Sequence, residues 1–126
     1  MIRKVSRMLF FSFGKSYNVV KRKEDIMKKI FVINLGSTST KIAYFEDDKC
    51  IFKETLKHKA EEIKQFNSIW EQESYRKDAI DKFMMEHNIV VSELDAIVSR
   101  GGHTEPLKSG VYLINQKMLD ESRSMK

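Results

Sequence analysis

Apolar side chains along this chain fall into short blocks divided by polar turns. Ile30, Phe31, Val32 and Ile33 are β-branched or aromatic and too few for a helix, so they predict a buried strand that ends at Asn34 and Gly36. Ile42, Ala43, Tyr44 and Phe45 form a second apolar run behind Lys41. Glu46, Asp47, Asp48 and Lys49 then separate it from a third, Cys50, Ile51 and Phe52. The pattern predicts three antiparallel strands joined by two turns.

Farther along, the period changes from strand to helix. Ile80, Phe83, Met84 and His87 stand at i, i+3, i+4 and i+7, a stripe that predicts a helix from Glu73 to about His87, with Ala79 extending its buried face. Ile63, Phe66, Ile69 and Trp70 make a similar stripe on a helical segment beginning at Lys59, with a break near Asn67 and Ser68. Asn88 stops the second helix, and Ser92 to Asp95 reads as a turn with capping character. Ala96, Ile97, Val98 and Ser99 predict a buried strand whose far end presents Arg100, Gly101 and Gly102, the kind of strand end where ligands gather in open α/β sheets. Pro106 and Gly110 frame a loop before Val111, Tyr112, Leu113 and Ile114, and a helix follows from near Asn115. The fold class is α/β.

The net charge of +5 changes this picture less than it suggests. Residues 1–26 hold seven basic and two acidic side chains, a surplus equal to that of the whole chain, and residues 27–126 balance at sixteen of each sign. The basic balance of the chain is therefore no argument for nucleic-acid binding by the folded part, whose own surface would have to carry the basic footprint. The run Met8, Leu9, Phe10, Phe11, Ser12, Phe13 behind basic residues is shorter than a signal-peptide core and lacks a cleavage site. No run approaches the ~18 apolar residues needed to span a membrane. Lys23, Glu24 and Asp25 can be encoded by a purine-rich ribosome-binding sequence just before Met27, so residues 1–26 are expected to be translated leader. Their rival reading is a basic amphipathic membrane anchor. With Cys50 as the single cysteine and no export signal, a cytoplasmic location is expected.

The chemistry concentrates in the turn after the first strand. Gly36 lets backbone N–H groups approach a phosphate closely, while Ser37, Thr38, Ser39 and Thr40 add hydroxyl donors and Lys41 a positive charge. The Asn34 amide oxygen suits a hard cation such as Mg²⁺ or its bound water. The spacing is not that of a Walker A loop, since the second glycine is missing and a strand follows where a helix is required. The same residues also suit a plain Ser/Thr-rich turn with no ligand. His58, His87 and His103 lack metal-ligand spacing and read as surface or helix-end histidines.

At this point the chain resembles a family. Val32 to Lys41 (VINLGSTSTK) is similar to the N-terminal signature of the acetate and butyrate kinases, two apolar residues followed by N-x-G-S-[ST]-S-x-K. The stretches FKETLKH at residues 52–58, AEEI at 60–63 and SELDAIVSRGG at 92–102, with Pro106 and GVYLIN at 110–115, resemble the butyrate branch. Arg100 stands where acetate kinases tend to carry a histidine before the paired glycines. The chain departs from butyrate kinases at Ser109, Val111, His103 and Thr104.

The resemblance implies an acyl kinase that interconverts butanoate plus ATP with butanoyl phosphate plus ADP, using Mg²⁺. It also implies the ribonuclease-H-like fold of actin, sugar kinases and heat-shock chaperones. Asn34, Gly36, Ser37, Thr38, Ser39 and Lys41 would then surround the nucleotide phosphates and the metal. Asn34 and Arg100 would be catalytic, and Arg100, Gly101 and Gly102 would lie beside a short-chain fatty acid or its acyl phosphate. Because 126 residues hold one ordinary core, residues 27–126 are expected to be an incomplete N-terminal lobe, inactive alone, whose intact enzyme forms a homo-oligomer and uses neither nucleic acid nor membrane. The alternatives are a freestanding phosphate- or nucleotide-binding module, a kinase of another short or branched-chain acid, and a sugar-kinase or chaperone relative. Asn34 argues against the last, which usually has aspartate at that turn.

Overall fold

The computed structural model describes residues 8–11, 26–100 and 105–124. Strand β1 is Met8–Phe11, and the meander follows as β2 (Lys29–Leu35), β3 (Ser39–Glu46) and β4 (Lys49–Lys57). A short helix α1 (Ala60–Ile63) and a 3₁₀ turn, Trp70–Gln72, lead into α2 (Glu73–Glu86). A second 3₁₀ turn, Val91–Glu93, precedes β5 (Ala96–Arg100), and β6 (Val111–Leu113) and α3 (Gln116–Ser124) complete the described elements.

The strands form one mixed sheet in the order β4-β3-β2-β5-β1-β6. β2 pairs antiparallel with β3 and β3 with β4, as the alternating runs predict, while β5 returns parallel to β2. β1 lies parallel to β5 and antiparallel to β6, which puts four residues of the stretch read as leader inside the sheet. The sheet is α/β in class.

Strand parity decides what the sheet buries. Phe31, Ile42, Tyr44 and Ile97 share one face because Phe31 is registered with both Tyr44 and Ile97. Phe83 and Met84 of α2 pack on that face with Leu94, and the Phe31 and Phe83 rings lie 6.4 Å apart. This is the stripe predicted for the second helix, with Ile80 packed at its margin. Fully burying a side chain such as Phe31 stabilises the fold by about 1.5–3 kcal/mol. The earlier helical segment is shorter than its pattern suggests, since only residues 60–63 form α-helix and the chain breaks before Trp70.

Turns and caps fix the ends of these elements. Asn88 adopts φ 54° just past the α2 C-cap, a left-handed conformation that asparagine tolerates. Asp47, also at φ 54°, makes the β3–β4 turn, and its carboxylate accepts the Lys28 backbone N–H at 2.9 Å. Asp95 holds β5 to β2 from both sides. Its N–H donates to the Lys29 carbonyl, and its carboxylate accepts the Lys29 N–H, each at 2.8 Å. Among the described residues, no helix is long and apolar enough to cross a membrane.

Candidate functional site

The 36–40 turn joins β2 to β3 at the end of the sheet where β5 also ends. Gly36 N–H donates to the Ser39 carbonyl at 2.7 Å and closes the turn tightly. A Cβ at Gly36 would meet Ser39 Oγ at 2.9 Å and the Ser39 carbonyl oxygen at 3.2 Å, so the glycine is needed for close approach. Ser37 and Thr38 are exposed at the tip, and Ser39 is half-buried.

Alternation along β3 sends neighbouring side chains to opposite faces. Thr40, registered with Leu35, points to the face covered by α2 and is fully buried, so its hydroxyl is withdrawn from any ligand at the tip. This corrects the expectation that all four hydroxyls of the turn face one ligand. Lys41 points the other way and is exposed. Its register partner is Asn34, which is half-buried, and Asn34 is registered in turn with Arg100 on β5. Lys41, Asn34 and Arg100 therefore form one row across three adjacent strands, on the face opposite α2. Neighbouring strands lie about 4.8 Å apart, so the row spans about 10 Å between outer Cα atoms. Gly101 and Gly102, expected beside the acyl substrate, lie outside the described residues, as does His103.

Beneath the turn lies a buried polar network. The Arg76 side chain rises from α2, where it is 3% exposed. Its Nε donates to Gln72 Oε1 at 2.9 Å, Nη1 to the Ser39 carbonyl at 2.9 Å and to Thr40 Oγ1 at 3.1 Å. Nη2 donates to the carbonyls of Gly36 at 2.7 Å and Ser37 at 3.1 Å. All five guanidinium hydrogens are thereby used. Burial lowers the Arg76 pKa from its ordinary value.

His58 completes the network. Its backbone N–H donates to the Thr38 carbonyl at 2.9 Å, and its Nε2 lies 2.9 Å from Thr40 Oγ1. Arg76 can only donate, so Thr40 Oγ1 accepts from Nη1, and the same hydroxyl bonds Nε2 in a direction set by the imidazole tautomer. Burial, and then the Arg76 charge, lower the His58 pKa from 6.5. The ring also meets Tyr75 edge-on at 5.3 Å, and the Tyr75 hydroxyl donates to Glu62. His58 is thus a core histidine, against the expectation of a surface one. The end of β4 carries its backbone onto the turn and its ring below it. His87 does close a helix, at the C-cap of α2.

Arg76 and Gln72 were not singled out by sequence reasoning, although a signal existed. Arg76 stands four residues before Ile80 on the buried stripe, where a polar side chain needs partners. Among the described residues, no three His, Cys, Asp or Glu side chains are grouped to hold a metal ion. The oxygen donors near the turn are neutral: the Asn34 amide and the hydroxyls of Ser37, Thr38 and Ser39. Such hard oxygens fit Mg²⁺ when phosphates supply the negative charge.

No family model matches the chain. Curated proteins do. Butyrate kinase 1 of Clostridium acetobutylicum is 50% identical over 95 residues, and butyrate kinase 2 of the same organism is 44% identical over 96. A probable butyrate kinase 2 of Caldanaerobacter subterraneus subsp. tengcongensis is 46% identical over 97 residues. The matches cover 75%, 76% and 77% of this chain, and the chain spans about 27% of the length of each of these relatives.

Proposed function

Because this chain belongs to the butyrate kinase family, we propose that its 36–40 turn binds the phosphates of ATP or of an acyl phosphate, within an enzyme that interconverts butanoate and ATP with butanoyl phosphate and ADP. The observation that carries the reading is the row of Lys41, Asn34 and Arg100 beside that turn. It sets two cations and an amide within reach of one phosphorylated ligand. The antiparallel meander with a parallel strand added beside its first member supports a ribonuclease-H-like lobe.

In the reaction a carboxylate oxygen of butanoate attacks the γ-phosphorus of ATP. The bond from that phosphorus to the β,γ-bridging oxygen breaks, and ADP leaves with the electron pair. No proton is gained or lost. Phosphoryl transfer of this kind depends on positioning and charge stabilisation more than on covalent help. The Ser37 and Thr38 N–H groups and the hydroxyls at the tip donate to phosphate oxygens. Lys41 offsets their charge, and Arg100 pairs with the carboxylate or the acyl phosphate, whose two oxygens a guanidinium matches. Asn34 and the hydroxyls would hold Mg²⁺ or its bound water, and the ion would neutralise charge on the phosphates.

Titration of the ¹⁵N-labelled chain with Mg·ADP tests the binding half of this reading. Amide signals of residues 34–41 and Arg100 should shift together in a saturable manner. Shifts confined to other residues, or none at millimolar nucleotide, would reject it.

A further inference from the structure

Arg76 is a buried cation that, among the described residues, makes no ion pair with a carboxylate. Burying an unpaired charge costs several kcal/mol unless other groups compensate. Here the compensation comes from carbonyl dipoles, three of which belong to the turn: Gly36, Ser37 and Ser39. That choice of acceptors has a geometric result. In a trans peptide the C=O and the following N–H point in opposite directions, and no cis peptide bond occurs among the described residues. Drawing the Gly36 and Ser37 carbonyls inward to Arg76 therefore turns the Ser37 and Thr38 N–H groups outward. Among the described residues neither N–H donates to a protein acceptor, and both residues are exposed.

We propose that Arg76 is a positioning residue for phosphate. It clamps the carbonyls of the turn from below, so that the N–H groups of Ser37 and Thr38 form a donor pair for phosphate oxygens, and the bound anion supplies the counter-charge that Arg76 lacks. All five of its donors are engaged, so it acts through the turn and makes no contact with the ligand. The inference rests on the phosphate-binding reading of the 36–40 turn. It adds that the site is built from α2, a helix forty residues away in sequence, as well as from the signature itself. Lysine cannot replace Arg76, because one ammonium lacks the planar fork that reaches three carbonyls.

The test measures inorganic phosphate binding to the full chain by ¹⁵N NMR, for the wild type, Arg76→Lys and Arg76→Ala, with thermal unfolding of each. The account expects Arg76→Lys to remain folded and to bind phosphate at least about tenfold more weakly, the loss expected for a charge-assisted donor set. It expects guanidinium ion to restore binding to Arg76→Ala. In the wild type, phosphate should shift the Arg76 Nε signal together with the Ser37 and Thr38 amides, a readout that needs no variant to fold. Folded variants that bind as the wild type does, or an Arg76 Nε signal that stays still while the two amides move, would overturn the inference and leave the phosphate-binding reading intact. A wild-type chain that binds neither phosphate nor Mg·ADP would overturn both.

Discussion

Thr40 Oγ1 and His58 Nε2 lie 2.9 Å apart in the core, eighteen residues from one another in sequence. Burial and the nearby Arg76 favour a neutral imidazole, since protonation would set a second cation beside Arg76 in the core. Glu62 opposes this, but less strongly than burial and Arg76 favour it. The folded-state pKa of His58 is therefore below the unfolded value near 6.5, and protons bind preferentially to the unfolded chain between the two. Stability from this source is fully present above pH 6.5 and is lost as pH falls through that window toward the folded pKa. Urea unfolding between pH 5 and pH 8 should show this slope in the wild type, and His58→Gln should flatten it. An equal slope in both proteins would contradict the assignment.

Gly36→Ala should weaken the turn itself. The added Cβ would lie 3.2 Å from the Ser39 carbonyl oxygen, which is held by both Gly36 N–H and Arg76 Nη1 and cannot retreat without loosening one of them. Overpacking of this kind costs about 1–3 kcal/mol. Denaturant unfolding should report that loss, together with weaker phosphate binding. An unchanged midpoint would show that the turn is more compliant than its hydrogen bonds imply.

Phe31→Ala should be much more severe. The ring is wholly buried between sheet and helix and faces Phe83, so its removal costs about 3–5 kcal/mol through lost transfer energy and the cavity left behind. Met85→Ala, at an α2 position that is 75% exposed, should change stability by less than about 0.5 kcal/mol. Comparable losses for the two would contradict the placement of α2 on the sheet.

How much of this was legible in the sequence depended on whether the deciding interaction was local. The meander followed from apolar runs broken by polar turns, and the stripe of Ile80, Phe83 and Met84 marked the face of α2 that packs on the sheet. Asn34, Lys41 and Arg100 could be named from their motifs. Their alignment in one row could not, because it depends on the parallel return of β5 beside β2. Arg76 and His58 were hidden for the same reason: their roles are set by the 36–40 turn, reached only when α2 and the end of β4 fold under it. The burial of Thr40 was accessible from strand parity, since it shares a face with Ile42 and Tyr44. The pairing of Met8–Phe11 with β5 is likewise a non-local outcome that a short apolar run does not announce.

Catalysis offers the most direct test of the central claim. The matched segment of Clostridium acetobutylicum butyrate kinase 1 can be replaced by the corresponding residues of this chain, and ATP-dependent formation of butanoyl phosphate then measured by trapping with hydroxylamine. The account predicts an active chimera, and a loss of at least about a hundredfold in kcat/KM on Asn34→Ala or Arg100→Ala with the fold intact, as expected when a charge-stabilising group is removed. A folded chimera with no activity, or one indifferent to both substitutions, would contradict it.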